Sequence, residues 1–188
     1  THVLICAGLA STRWLPELPI LARKGHLIIT PKNATPKINH QLVELGYLKS
    51  AHGHADMSVA FNIQPRPTGQ ILLGSSRQFN DESSAINDDV LNAMITRATR
   101  FVPALPAWPA LRTWTGLRPC TPDNLPYIGK TAHDGIWVAA GHEGLGITTS
   151  LGTAAIISAQ ICDEYPALNA DAYSPLRVQT QTRSVAHA

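Results

Sequence analysis

Residues 135–148 read Gly135-Ile136-Trp137-Val138-Ala139-Ala140-Gly141-His142-Glu143-Gly144-Leu145-Gly146-Ile147-Thr148, and this order of residue types decides the fold that the chain can form. The apolar run predicts a short strand, the glycines predict a tight turn, and the small side chains after them predict the start of a helix. Glycine lets the backbone come close to a ligand, and the first turn of a helix presents N–H groups with partial positive charge. The segment therefore predicts a site for an anion or an electron-rich carbonyl group.

The spacing of the glycines leaves two interpretations of the turn open. Residues 141–146 follow the order GxxGxG, which reverses the GxGxxG order that opens a dinucleotide-binding unit, and no acidic residue follows at the required distance. This spacing gives little support for a pyrophosphate site, and a tight turn without any ligand explains the spacing as well as a ligand site does. Gly144, Gly146 and Gly152 would also let a flat ring approach the helix.

The composition indicates a folded protein without the charge pattern of a nucleic-acid-binding protein. The 188 residues are 44% apolar and 15% charged, and 15 basic against 13 acidic residues give a formal charge of +2. A chain of this size can bury about 70% of the surface that its unfolded form exposes, whereas disordered chains contain fewer apolar groups. Because no long run of either charge occurs, we expect no binding to DNA or RNA.

Cysteine usage indicates the compartment. Cys6, Cys120 and Cys162 are odd in number and widely spaced, which favours free thiols in a reducing compartment, so we expect a cytoplasmic protein. No apolar run reaches the roughly 20 residues of a membrane helix, and we expect neither a membrane span nor a signal peptide. The chain passes from Thr1 directly into the apolar residues 3–7, which favours the interpretation that a segment is missing upstream.

Hydrophobic periodicity places the other elements. Strands are predicted at residues 3–7, 26–30, 57–64, 70–75 and 111–117, and a helix is predicted from residue 88 to about residue 101. Asn87 is placed to cap this helix. The turn at residues 65–69 lies between two predicted strands, which predicts an antiparallel hairpin.

Arg118 is the candidate for binding a substrate. It follows a predicted strand and lies between Gly116 and Pro119, so that its guanidinium group would be held at a strand end. The planar fork of donors suits bidentate binding of a carboxylate. A lone arginine is also commonly a surface or ion-pair residue, and the sequence leaves both roles open.

Histidines suggest a metal site, but their pattern does not support one. His52, His54 and Asp56 share one glycine-containing loop. A metal centre needs three or four convergent ligands, and no second cluster with suitable spacing occurs, so we expect no metal. His142 differs because it belongs to the glycine turn, where it could bond a ligand or the local backbone. The absence of a GxSxG elbow argues against a hydrolase.

Five segments together carry a resemblance to a known family. They are residues 3–8 (VLICAG), 23–26 (RKGH), 66–75 (RPTGQILLGS), 114–123 (WTGLRPCTPD) and 141–146 (GHEGLG). In this order they resemble the C-terminal half of the FAD-dependent amino-acid and amine oxidoreductases, the family of D-amino-acid oxidase, glycine oxidase and sarcosine oxidase. The likeness extends over most of the chain.

The resemblance implies a mixed fold, described as α+β or α/β. An antiparallel-sheet substrate domain with helices would join the C-terminal part of a Rossmann-like FAD-binding domain. Residues 1–20 and 113–165 would belong to the FAD-binding domain, residues 21–112 to the substrate domain, and residues 166–188 to an irregular tail. The family's N-terminal βαβ unit, which carries GxGxxG, does not occur in the sequence, so we expect this chain alone to bind FAD poorly and to be inactive.

The resemblance also implies roles for individual residues. Arg118 would pair with the carboxylate of the substrate. The turn and helix start would lie against the pyrimidine end of the flavin, where partial positive charge stabilises negative charge. We expect FAD to be non-covalent, because Gly116 stands where covalent sarcosine oxidases carry a cysteine. The implied cofactor-binding residues are Gly8, Gly116, Gly141, His142, Gly144, Leu145, Gly146, Ile147 and Thr148.

The expected function is oxidation of the C–N bond of a small amino acid or secondary amine by hydride transfer to flavin. A homo- or hetero-oligomer is compatible with this function, and the missing N-terminal FAD-binding segment would be a further partner. Two alternatives remain open at the level of the sequence. One is a binding or scaffold module without a cofactor, and the other is a dehydrogenase subunit that passes electrons to a partner.

Overall fold

The computed structural model describes residues 1–32, 37–45 and 57–178, and within these ranges it contains eight strands and two α-helices. The strands are Val3–Ile5 (β1), Leu21–Ile29 (β2), Leu42–Val43 (β3), Met57–Pro65 (β4), Ile71–Gln78 (β5), Arg112–Cys120 (β6), Tyr127–Lys130 (β7) and Ile136–Ala140 (β8). The helices are Asp88–Thr99 (α1) and Ser150–Ile161 (α2), and short 3₁₀ helices lie at Gly8–Arg13, Leu105–Ala107 and Asp171–Tyr173. No helix in this described part has the length and apolar character needed to cross a membrane.

The chain divides into two compact units. Thr1–Ala22 and Arg118–Ala188 together form one, which we call the discontinuous unit, and Arg23–Leu117 form the other, the continuous unit. Sheets occur with helices in both, and most strand pairs are antiparallel. The predicted mixed fold class is therefore confirmed.

The discontinuous unit contains a three-stranded sheet in the order β1-β8-β7. Strand β1 runs parallel to β8, and β7 runs antiparallel to it. Successive side chains of β8 point to opposite faces, so Val138 packs with Leu15 and Leu18 while Trp137 packs with Ile156 of α2. Because both faces of the sheet are covered, β8 is apolar along its whole length.

The continuous unit contains a five-stranded sheet in the order β3-β4-β5-β2-β6. The predicted hairpin is confirmed, since β4 and β5 pair antiparallel from Met57 with Gln78 to Pro65 with Ile71. The pairing shifts between Val59 and Asn62, and this irregularity interrupts the simple alternation of the sequence. The core of this unit includes residues of the sheet, of α1 and of the segment that follows α1: Ile28, Phe61, Ile63, Ile71, Leu73, Ala98, Val102 and Leu105.

Helix α1 begins as predicted and ends two residues early. The side-chain oxygen of Asn87 accepts hydrogen bonds from the amides of Asp89 and Val90, at 3.0 and 3.3 Å. The regular helix stops at Thr99 instead of Phe101. Pro103 follows closely, and the residue before a proline is disfavoured in helical conformation.

Strand β2 begins at Leu21, five residues before the predicted start at His26. The prediction was wrong because Arg23, Lys24 and His26 are polar yet almost fully buried, with exposed fractions of 2%, 0% and 0%. Each has a compensating contact. Lys24 Nζ donates to Asp81 Oδ2 at 2.7 Å, His26 Nε2 accepts from the Asn87 amide at 3.2 Å, and the Arg23 guanidinium lies 4.4 Å from the centre of the Phe79 ring.

The contact between Lys24 and Asp81 predicts a pH-dependent contribution to stability. Hydrogen bonds from Lys24, and then from Ser83, lower the pKa of Asp81 from 3.8 to about 2. Because the pKa is lower in the folded chain, the stabilisation is complete above 3.8 and is lost as the pH falls toward about 2. We expect the difference in unfolding free energy between the wild type and Asp81→Asn to shrink over that range, as measured by urea unfolding followed by circular dichroism.

A matched variant controls for the loss of one negative charge. Asp134→Asn removes a carboxylate whose side chain is fully exposed. A difference between wild type and Asp81→Asn that stays constant from neutral to acidic pH would contradict a stabilising role of this contact.

Candidate functional site

The glycine turn is built on a buried threonine. Gly141 has a φ of +85°, a conformation that side chains other than glycine rarely adopt. A Cβ atom at this position would lie 2.6 Å from Cγ2 of Thr121. Thr121 is 3% exposed, so it cannot move away into solvent. Glycine is therefore required at the point where the chain leaves β8.

The turn extends further than predicted, and the helix begins later. Regular helix starts at Ser150, so residues 144–148 precede α2 instead of forming its first turn. The hydroxyl groups of Thr149 and Ser150 donate to the carbonyl groups of Leu145 and Ile147, at 2.9 and 2.8 Å. Such local bonds compete with helical ones, and glycine loses more backbone freedom in a helix than any other residue.

Three successive amides of the turn are available to a ligand. The N–H groups of Gly146, Ile147 and Thr148 donate to no acceptor within the described residues. The side chains of Leu145 and Ile147 are 59% and 94% exposed. The segment thus combines hydrogen-bond donors, apolar surface and the partial positive charge at the start of α2.

Arg118 lies beside this turn. It is half-buried near the end of β6, and the position that a Cβ atom of Gly144 would take lies 3.7 Å from its Cδ and 3.8 Å from its Nε. Gly144 and the side chain of Arg118 are therefore close neighbours, at ordinary van der Waals distance. The structure brings together the two sites that the sequence predicted separately.

His142 faces helix α2. Its Nε2 lies 3.0 Å from the hydroxyl oxygen of Thr153, and burial lowers the pKa of the imidazole below its ordinary value. The ring is therefore neutral at physiological pH. His142 also borders a cavity of ≈ 520 Å³ next to the first half of α2, together with Leu145 and Thr148.

The other two predicted cofactor-binding glycines lie in different units. Gly8 follows β1 in the discontinuous unit with a φ of +57°, and its Cβ position is 3.8 Å from Cγ of Pro119. Since β1 and β8 are parallel, Gly8 and Gly141 lie at the same, carboxyl end of the two strands. Gly116 lies on β6 in the continuous unit, and a Cβ atom there would meet no described atom within 4 Å.

Two supporting residues were missed by the sequence reasoning. Thr121 packs against Gly141 and so supports the turn. Its position in the segment Thr121-Pro122-Asp123 was the sequence signal that could have indicated this role. Thr153 pairs with His142 across eleven residues, and no sequence pattern indicated this contact.

The suggested histidine metal site cannot be examined in the structure. His52, His54 and Asp56 lie outside the described residues. Within residues 1–32, 37–45 and 57–178, no group of three or more histidine, cysteine, aspartate and glutamate side chains is arranged to hold a metal ion.

Comparison with known proteins adds independent information about the chain. A family model described as FAD dependent oxidoreductase matches residues 1–160. This range contains the glycine turn, Arg118, Gly8 and Gly116.

Individual relatives are similar to this chain over part of their length. Glycine oxidase of Pseudomonas aeruginosa is 25% identical over 178 residues, which cover 92% of this chain and 45% of the relative. D-amino acid dehydrogenase of Dechloromonas aromatica is 33% identical over 97 residues, 52% of this chain and 23% of the relative. The crystal structure of glycine oxidase from Geobacillus kaustophilus shares the fold with a TM-score of 0.75 and 22% identity, over 92% of this chain and 44% of that one. The chain thus spans less than half the length of these three relatives.

The contact between Gly141 and Thr121 predicts a local energetic cost. Gly141→Ala should reduce the unfolding free energy by about 2 kcal/mol, because it adds both a strained φ and a steric contact. Thr121→Ser removes the contacting methyl group, so adding it to Gly141→Ala should recover part of this loss. Urea unfolding of the four proteins of this cycle measures both effects.

Gly146→Ala is the matched control. Its Cβ atom would meet only Cβ of His142, at an ordinary 3.6 Å, and its φ is not positive. Equal losses for Gly141→Ala and Gly146→Ala would contradict the special requirement at position 141.

Proposed function

The chain belongs to the FAD dependent oxidoreductase family, and on this premise we propose that it provides the substrate carboxylate site and the flavin-facing turn of an enzyme that oxidises the C–N bond of a small amino acid or secondary amine. The substrate class is suggested by similarity to glycine oxidase and to D-amino acid dehydrogenase.

One observation carries the proposal. The side chain of Arg118 lies against Gly144, and Gly146, two residues later, is the first of three amides that have no acceptor in the described part of the chain. A carboxylate held by Arg118 and a ring held by these amides would therefore be neighbours. An oxidation that transfers electrons between substrate and cofactor requires such proximity.

The turn has the properties needed to hold a flat, electron-rich ring. Gly144 and Gly146 have no side chains to obstruct a ring, and Ile147 exposes apolar surface beside the free amides. Bound there, FAD would supply the acceptor for the two electrons of the oxidation. The amides of Gly146, Ile147 and Thr148 would donate to the carbonyl group at the pyrimidine end and favour negative charge there.

Arg118 would determine how the substrate lies. Its fork of N–H donors matches the two oxygens of a carboxylate and would fix the direction of the α-carbon relative to the turn. We assign His142 an indirect role at the cofactor site, since its contact with Thr153 ties the turn to α2.

The electron acceptor defines a second candidate function. Similarity to D-amino acid dehydrogenase favours an enzyme that passes electrons to a partner instead of oxygen. Formation of hydrogen peroxide would favour the oxidase, and reduction of an artificial dye without peroxide would favour the dehydrogenase.

Titration with FAD tests the cofactor part of the proposal in a protein that joins this chain to an N-terminal FAD-binding segment, because we expect the chain alone to bind FAD poorly. Binding should quench flavin fluorescence and alter the visible absorption of the ring, and Gly146→Val should weaken it because a side chain would obstruct the turn. Absence of FAD binding by the joined wild-type protein would favour a cofactor-free module.

Kinetics test the role of Arg118. In the same joined protein loaded with FAD, Arg118→Leu should raise the KM for an amino-acid substrate about tenfold or more, since a hydrogen bond to a charged group contributes about 1.5–3 kcal/mol. Arg112→Leu is the control, because Arg112 is an exposed arginine at the other end of β6. Unchanged KM and kcat for Arg118→Leu would contradict the assignment of Arg118 to the substrate carboxylate.

A further inference from the structure

One arginine near the end of the described chain is bonded to the loop that supports the glycine turn. Nε and Nη2 of Arg177 donate to the two carboxylate oxygens of Asp123, at 2.7 and 3.0 Å. Nη2 also donates to the carbonyl of Leu125 at 2.6 Å, and Nη1 lies 3.3 Å from the carbonyl of Pro126. The guanidinium carbon lies 4.1 Å from the centre of the Tyr127 ring. The cation thus engages four of the five positions 123–127 by three kinds of contact: an ion pair, hydrogen bonds to carbonyl groups and a cation–π contact.

Arg177 is also fixed from its own side. Nη1 donates to the carbonyl groups of Tyr173 and Ser174, both at 3.1 Å. Its side chain is 14% exposed, so solvent competes little for these bonds. Loop and C-terminal segment are therefore held by one shared group.

Asp123 connects Arg177 to Thr121 through hydrogen bonds. Burial would raise the pKa of the Asp123 carboxyl, but hydrogen bonds from Arg177, the Leu125 amide and Thr121 outweigh it, and the pKa lies below its ordinary value. The carboxylate is thus charged at neutral pH. The hydroxyl oxygen of Thr121 lies 3.0 Å from Asp123 Oδ1 and 2.8 Å from the Leu125 carbonyl.

The end of β6 and the start of the loop after it hold the turn at two points. The methyl group of Thr121 fills the space that glycine leaves at position 141. The amide of Glu143 donates to the carbonyl of Pro119 at 2.7 Å. A displacement of residues 119–123 would therefore move the beginning of the turn, and with it the amides at 146–148.

We propose that Arg177 is a positioning residue that fixes the glycine turn through Asp123 and Thr121. The path of contacts is a property of the discontinuous unit by itself. What the turn binds rests on the proposed function.

Hydrogen exchange of single amides tests the path without any ligand. In Arg177→Ala, the Glu143 amide should exchange about tenfold faster or more, because its bond to Pro119 opens more often, while the amides of Trp137 and Val138 in β8 keep their rates. Arg13→Ala is the control, since Arg13 is an exposed arginine of the same unit. Equal acceleration in β8 and in the turn would show general destabilisation and overturn the proposal, as would an unchanged Glu143 rate.

Chemical rescue separates the charged contact from packing. Guanidinium ion at millimolar concentration, far below denaturing levels, should restore slow exchange at Glu143 in Arg177→Ala. It should fail in the double variant Arg177→Ala with Asp123→Asn, which lacks the carboxylate that binds the ion. Rescue in both variants, or in neither, contradicts the proposed path.

Arg177→Lys decides the case in which Arg177→Ala does not fold. Lysine keeps the charge but cannot form the fork with Asp123, so the Glu143 amide should still exchange faster than in the wild type. An exchange rate equal to that of the wild type would overturn the proposal.

The flavin provides a second readout. Where the wild type binds FAD, Arg177→Ala should weaken the affinity about tenfold, which corresponds to 1.4 kcal/mol. An unchanged affinity would contradict a positioning role. Failure of the wild type joined to an N-terminal FAD-binding segment to bind FAD would count against the proposed function, while the exchange and rescue results would still decide the role of Arg177.

Discussion

The turn between β8 and α2 depends on the space between Gly141 and Thr121, where a side chain does not fit. This close approach lets the chain reverse at the end of a covered strand. The reversal places Gly144 beside Arg118, and it leaves three amides without acceptors among residues 1–32, 37–45 and 57–178. Because ligands of open α/β sheets bind beyond the carboxyl ends of the strands, the turn occupies the position where such a sheet offers a site.

Local sequence signals predicted those parts of the fold that are determined by interactions between residues close together in the sequence. Helix α1 follows from the cap at Asn87, and the hairpin of β4 and β5 follows from a turn sequence between apolar runs. The start of β2 could not be predicted in this way. Buried Lys24 donates a hydrogen bond to Asp81, which is 57 positions away in the sequence. A hydrophobic pattern contains no information about such a distant partner.

The sequence predicted the turn and the arginine of the candidate site, but it did not predict the contacts that hold the turn in place. Glycine spacing indicated a turn, and the position of Arg118 after a strand indicated a fixed cation. The start of α2 was misplaced because the hydroxyl groups of Thr149 and Ser150 bond the preceding turn. Contacts that hold the turn join residues far apart in sequence, such as His142 with Thr153, and they emerge only once the strands have been placed.

The division of one unit into two separate segments affects the order in which the chain folds during synthesis. Strand β1 finds its parallel partner β8 more than a hundred residues later, whereas the continuous unit is one uninterrupted segment. During synthesis the ribosome therefore releases all residues of the continuous unit before β8 exists. Pairing of distant segments requires closing a large loop and is slow. Folding of the inserted segment shortens that loop, so the order of synthesis favours assembly of the sheet that carries the turn.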